Sequence, residues 1–153
     1  MAKPVKALKD LNESELQEVK AKIEEYKVNA RLRKYPAIYA VSNRRGKSEC
    51  HEFLGALGGS SRKNDSRPQV KFRPLSCKVT LASAMDAVYK VHADPSRGDY
   101  AFDGEISHLC HLKWCVNPHH LVREAHKVNC ERRDNCSHTK CLCVTQGRSP
   151  PCI

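Results

Sequence analysis

The sequence predicts a small α+β fold with short antiparallel strands and little regular core. Three observations carry this expectation. The chain has 153 residues with 40% hydrophobic and 6% aromatic residues, enough for one domain at about 150 residues per domain and for one modest core. Helical and alternating patterns follow one another in short stretches, with no internal repeat. Cysteine and histidine crowd together: seven of the nine cysteines lie between Cys110 and Cys152, and six of the eight histidines between His108 and His138.

Each element is read from its own pattern. Over residues 1–34, Leu8, Leu11, Leu16, Val19, Ile23 and Tyr26 recur at helical spacing within a Lys/Glu-rich stretch. Asn12 with Glu15, or Ser14 with Gln17, can cap this N-terminal amphipathic segment. Tyr35-Pro36 ends it. A strand is expected over 37–42, a turn over 43–46, and a Gly/Ser-rich loop over 55–61, followed by basic turn residues 62–67. Residues 69–73 alternate, with Gln69, Lys71 and Arg73 on one face and Val70 and Phe72 on the other. Such a strand fits a major-groove β-ribbon or an ordinary surface strand equally well. Residues 79–91 read as a helix with Leu81, Met85, Val88 and Tyr89 as its apolar stripe. Residues 101–108 read as a hairpin around an Asp-Gly turn, and 121–132 as a helix after the Asn117-Pro118 turn. The expected organisation is an N-terminal helical segment 1–34, one domain over 35–147, and an irregular tail 148–153.

Charge and context narrow the function. The formal net charge is +10, which favours a polyanionic partner such as nucleic acid. No apolar run reaches the roughly 20 residues that span a bilayer. The start, Met-Ala-Lys-Pro, lacks the apolar block of a secretion signal. An intracellular protein is therefore expected, in which cysteines stay reduced and a Cys/His concentration reads as zinc. Zinc also supplies folding free energy that a lean core lacks.

The ligands form two sets. Cys110, Cys115 and His120 have four residues between successive members, so one loop can bring three donors to a tetrahedral ion. Cys50 is the candidate fourth ligand, with Cys77 as competitor. Cys130, Cys136, His138, Cys141 and Cys143 offer five candidates for a second site. His51, His92 and His126 read as ordinary histidines. The absence of any C-x-x-C pair argues against a cross-braced interaction module.

Ser-His-Leu-Cys-His at 107–111, followed by Cys115, Asn117-Pro118, His120-Leu121, Glu124 and Asn129, resembles the His-Cys box homing endonucleases. Cys50-x-Glu52 is similar to the segment that carries that family's remote zinc ligand. Arg67-Pro68-Gln69-Val70-Lys71 is similar to its phosphate- and base-contacting stretch, and Cys136-x-His138 with Cys143-Val-Thr-Gln-Gly to its second zinc loop. The resemblance covers roughly 40–147. It implies a ββα-metal (His-Me finger) nuclease fold with an antiparallel DNA-binding sheet and two structural zincs. These are Cys50, Cys110, Cys115 and His120 for the first, and Cys130, Cys136, His138 and Cys143 for the second, with Cys141 as the alternate. It implies His108 as general base, Asn129 as ligand of one catalytic Mg²⁺ (or Mn²⁺), and Arg67 on the scissile phosphate. An imidazole suits proton abstraction near neutral pH, and an amide oxygen suits Mg²⁺.

The expected activity is therefore site-specific cleavage of double-stranded DNA by a nuclear homodimer. Gln69, Lys71 and Arg73 would read bases, and Arg44, Arg45, Lys47, Arg62 and Lys63 would contact the backbone. The alternative is a zinc-stabilised DNA-binding protein of the same fold that does not cleave.

Overall fold

The N-terminal helix sets the frame on which the rest packs. In the computed structural model, which describes residues 5–35, 50–54, 67–92, 104–136, 142, 143, 145, 146, 150 and 152, a short 3₁₀ turn at Leu8–Asp10 leads into helix α1, Glu13–Val28. Of the two possible caps, Asn12 with Glu15 forms. Glu15 N donates to Asn12 Oδ1 at 2.9 Å and Asn12 N to Glu15 Oε2 at 3.0 Å, which satisfies two otherwise orphaned amides. Val19, Ile23 and Tyr26, at i, i+4 and i+7, are the buried face of α1.

Strand β1, Leu32–Tyr35, follows directly and pairs antiparallel with β2, Cys50–Phe53, matching Leu32 with Phe53 and Tyr35 with Cys50. The ring of Tyr26 meets that of Phe53 at 5.2 Å between centroids, so α1 and the first strand pair share one core. The expected alternating strand at 69–73 shortens to β3, Gln69–Val70, paired with β4, Val79–Thr80. Its sidedness persists beyond the pairing: Val70, Phe72 and Leu75 are buried, and Gln69, Lys71 and Arg73 are exposed.

Helix α2, Leu81–Tyr89, begins at a Thr80 cap whose Oγ1 accepts from Ser83 N at 3.2 Å. It buries Leu81, Ala84 and Met85 against the α1 face, with Phe72, Val116 and Leu121 in the same cluster.

The C-terminal unit differs from its expectation. No hairpin closes within 101–108 among the described residues. Strand β5, Glu105–His108, pairs instead with β6, Leu121–Glu124, across the whole loop between them. The run 121–132, expected as one helix, splits into β6 and helix α3, His126–Asn135. Leu121 and Val122 are drawn into the strand because pairing with His108 and Ser107 buries them, a tertiary gain that outweighs helix propensity. A Cβ at Gly104 would stand 2.7 Å from the Glu124 carbonyl oxygen, so this close approach of β5 to β6 needs a glycine. The order β5–β6–α3 is a ββα unit. The strand expected at 37–42 and the basic residues Arg44, Arg45, Lys47, Arg62 and Lys63 lie outside the described residues. Among the described residues no helix is long and apolar enough to cross a membrane.

Candidate metal centres and active site

The loop between β5 and β6 is folded tightly by its own backbone. Leu109 N donates to the His120 carbonyl at 2.7 Å, His111 N to that of His108 at 3.0 Å, and Cys115 N to that of Leu112 at 3.0 Å. His111 takes a left-handed conformation, φ 60°, which reverses the chain just after Cys110. Asn117 Oδ1 accepts from His119 N at 3.0 Å and caps the Pro118–His120 turn. Strand β2 is tied to this loop by Val116 N donating to the His51 carbonyl at 2.9 Å and by a bridge between Glu52 and Cys115. That contact delivers Cys50 from sixty residues upstream.

Cys50, Cys110, Cys115 and His120 are thereby brought together. All four are buried, and their ligand atoms lie within 4.8 Å of one another. His120 Nδ1 is 3.5 Å from Cys50 Sγ and 3.4 Å from Cys115 Sγ. A tetrahedral zinc with Zn–S about 2.3 Å and Zn–N about 2.0–2.1 Å gives an S···N edge of about 3.5 Å, so the donor set fits that ion. The neighbouring Cys115 and Cys50 sulfurs, with burial, hold the Cys110 thiol well above its usual pKa. Three buried thiolates repel one another, and a dication is what allows all of them to ionise together. Cys77 is exposed and belongs to neither group.

Among the described residues the second group is Cys136, Cys143 and Cys152. Cys143 Sγ stands 3.5 Å from Cys136 Sγ and 3.4 Å from Cys152 Sγ. Cys152 enters where the sequence reading had Cys130. The reason is helical phase. Cys130 shares a face of α3 with His126, four residues back, and its Sγ lies 3.4 Å from His126 Nε2. Arg132, two residues on, points the other way and donates to Cys143 Sγ at 3.4 Å and Cys152 Sγ at 3.7 Å. Residue spacing does not single out Cys152, which sits in a Pro-rich tail, although it is the one cysteine that enters neither candidate ligand set. His138 and Cys141 lie outside the described residues.

A polar network runs from this second group to Asn129. Arg132 donates to Glu124 from Nε at 2.6 Å and from Nη2 at 3.0 Å. Glu124 Oε1 also contacts Ser107 Oγ, which lies 2.9 Å from Asn129 Oδ1. Asn129 Nδ2 is 2.8 Å from Glu105 Oε2, and His126 Nδ1 is 2.7 Å from Glu105 Oε1. The Asn129 and His126 contacts, with Arg67 nearby, hold the Glu105 carboxyl below its usual pKa.

His108 follows Ser107 on β5. Its ring bonds to the Cys115 backbone, while Nε2 is shut off from solvent with no hydrogen-bond partner among the described residues. Burial pushes its pKa down to about 4, opposed by Cys115 and assisted by Arg67. Arg67 is exposed and acts electrostatically on both His108 and Glu105. Gln69 is exposed. Lys71 Nζ donates to the Leu75 carbonyl at 2.5 Å, and Arg73 forms two 3.1 Å hydrogen bonds with Glu18 of α1.

A family model described as the zinc-binding loop region of homing endonuclease matches residues 61–152, more than half of the chain. No curated protein and no solved structure gives a match. The matched span contains the ββα unit, three of the four residues of the first group and all of the second. The short antiparallel pairs and Cys/His groups agree with a small His-Me finger fold. The chain therefore belongs to the homing endonucleases of the His-Cys box type, the family to which that zinc-binding loop belongs.

Proposed function

We propose that this chain hydrolyses phosphodiester bonds of double-stranded DNA, with both Cys/His groups holding structural zinc and the chemistry carried on β5 and α3. The observation that carries the reading is His108. One ring nitrogen is engaged by the Cys115 backbone, so the neutral tautomer leaves the Nε2 lone pair uncommitted, and that atom has no partner among the described residues. A general base needs such a nitrogen, held in place and not already hydrogen-bonded. Ser107, the residue before it, touches Asn129, which supports a base and an amide ligand serving one site.

In this reading His108 Nε2, closed to solvent in the free chain, opens to the attacking water when DNA binds and takes its proton. Arg67 steadies the charge on the scissile phosphate, and Asn129 offers its amide oxygen to a divalent cation. The oxygen-rich surroundings of Asn129, with Glu105 and Ser107 beside it, fit Mg²⁺ or Mn²⁺. That ion, when bound, supplies charge stabilisation to the phosphate and to the leaving 3′-oxygen. The zinc ligands clamp the β5–β6 loop, so His108 and Asn129 keep their relative geometry. Gln69, Lys71 and Arg73 are proposed to face bases. For Arg73 this requires release from Glu18. A homodimer acting in the nucleus on a two-fold target completes the proposal.

The test is nicking of supercoiled plasmid by zinc-loaded protein with Mg²⁺, alongside His108→Ala. Nicking by wild type, lost by a thousandfold or so in His108→Ala with DNA affinity unchanged, is the expected result. Salt-sensitive DNA binding without nicking by wild type, under any divalent cation, would leave a binding protein of the same fold.

A further inference from the structure

Asn129 of α3 has each end of its amide against a side chain of β5. Nδ2 donates to Glu105 Oε2 at 2.8 Å, and Oδ1 lies 2.9 Å from Ser107 Oγ. The two ends have nearly the same shape and opposite chemistry: a hard cation takes the oxygen and never the NH₂. A serine hydroxyl does not choose between them, because it can donate to the one or accept from the other. A carboxylate does choose, because it only accepts. Glu105 is itself held for this task, since its other oxygen, Oε1, meets His126 Nδ1 at 2.7 Å.

We infer that Glu105 is a positioning residue that orients the Asn129 amide: by accepting from Nδ2 it keeps Oδ1, and not the NH₂, as the end available to the divalent cation. The inference rests on the reading of Asn129 as a cation ligand. Oδ1 has two lone pairs, so Ser107 and an ion can both be served. Glu105 then acts without touching the ion, as outer hydrogen bonds orient the groups that do. His126 acts one step further out, by fixing the carboxylate that fixes the amide.

Mn²⁺ binding to the zinc-loaded full chain tests this, read from the electron spin resonance of free Mn²⁺ with plasmid DNA present and DNA alone as the blank. Glu105→Gln keeps the shape of the side chain but offers an NH₂ as readily as an oxygen. It should weaken Mn²⁺ binding by about tenfold, with zinc content and thermal melt unchanged. Made on top of Asn129→Asp, the same change should cost less than about threefold, because a carboxylate presents an oxygen whichever way it turns. An equal loss in both backgrounds would show Glu105 acting through its charge or as a ligand and would overturn the orienting role. Wild-type affinity in Glu105→Gln, with a loss in Asn129→Ala, would overturn it too while leaving Asn129 a ligand. Wild-type affinity in Asn129→Ala, or no Mn²⁺ taken up by wild type beyond the blank, would overturn the reading of Asn129 and the inference with it.

Discussion

Arg132 and Glu124 form a fully enclosed ion pair, with two nitrogen–oxygen contacts of 2.6 and 3.0 Å. Each partner uses its remaining edge elsewhere: Arg132 against the Cys143 and Cys152 sulfurs, Glu124 against Ser107. The pair thus links the second Cys group to the strand that carries His108. It also accounts for the one large charged residue buried on α3.

Removing one member strands the other charge in the interior. Arg132→Met is expected to destabilise the zinc-loaded protein by about 3–5 kcal/mol, the range for breaking a buried ion pair. Glu124→Leu combined with Arg132→Met should cost markedly less than the single change, because no charge is left uncompensated. Urea unfolding of wild type, of Arg132→Met and Glu124→Leu alone and of the double variant decides this, and a double variant as unstable as the sum of the two singles would contradict it.

The composition of the second group separates two cysteines that the sequence treats alike. Cys152→Ser should lower the zinc content of purified protein by one equivalent per chain, since its sulfur is one of the three in that group. Cys130→Ser should leave zinc content unchanged, as Cys130 faces His126 on the other side of α3. Metal analysis by mass spectrometry reads both. The reverse pattern would return Cys130 to the site.

These cases show which parts of the molecule are legible from residue order. The convergence of Cys110, Cys115 and His120 is encoded in a loop of a dozen residues and can be read from spacing. The α1 face and the Asn12 cap are likewise local. Cys50 reaches its group through a backbone bridge to a loop sixty residues away, and spacing says nothing of that; the need for a fourth ligand leaves Cys50 and Cys77 as candidates, and the resemblance favours Cys50. β6 looks helical in isolation because its strand character comes from β5 across the intervening loop. The Glu105–Asn129–Ser107–Glu124–Arg132 network is invisible to periodicity, since its members are polar residues from three elements and meet only when the ββα unit closes.

A last relationship makes stability depend on pH. Asp86 of α2 is buried, with Arg123 of β6 at 3.5 Å. Burial pushes its pKa up to about 6, although Arg123 and His92 oppose the shift. In the unfolded chain the same carboxyl titrates near 4. Between those values the folded protein holds more protons than the unfolded one, so stability falls as pH rises through this window and the loss is complete above it. Asp86→Asn does not titrate. The stability of wild type relative to Asp86→Asn is therefore expected to decline by about 2–3 kcal/mol from pH 4 to pH 7, at about 1.4 kcal/mol per unit. Urea melts of the two zinc-loaded proteins across that range measure the difference, in which acid release of zinc, common to both, cancels. Parallel stability curves would show that Arg123 compensates the Asp86 charge fully.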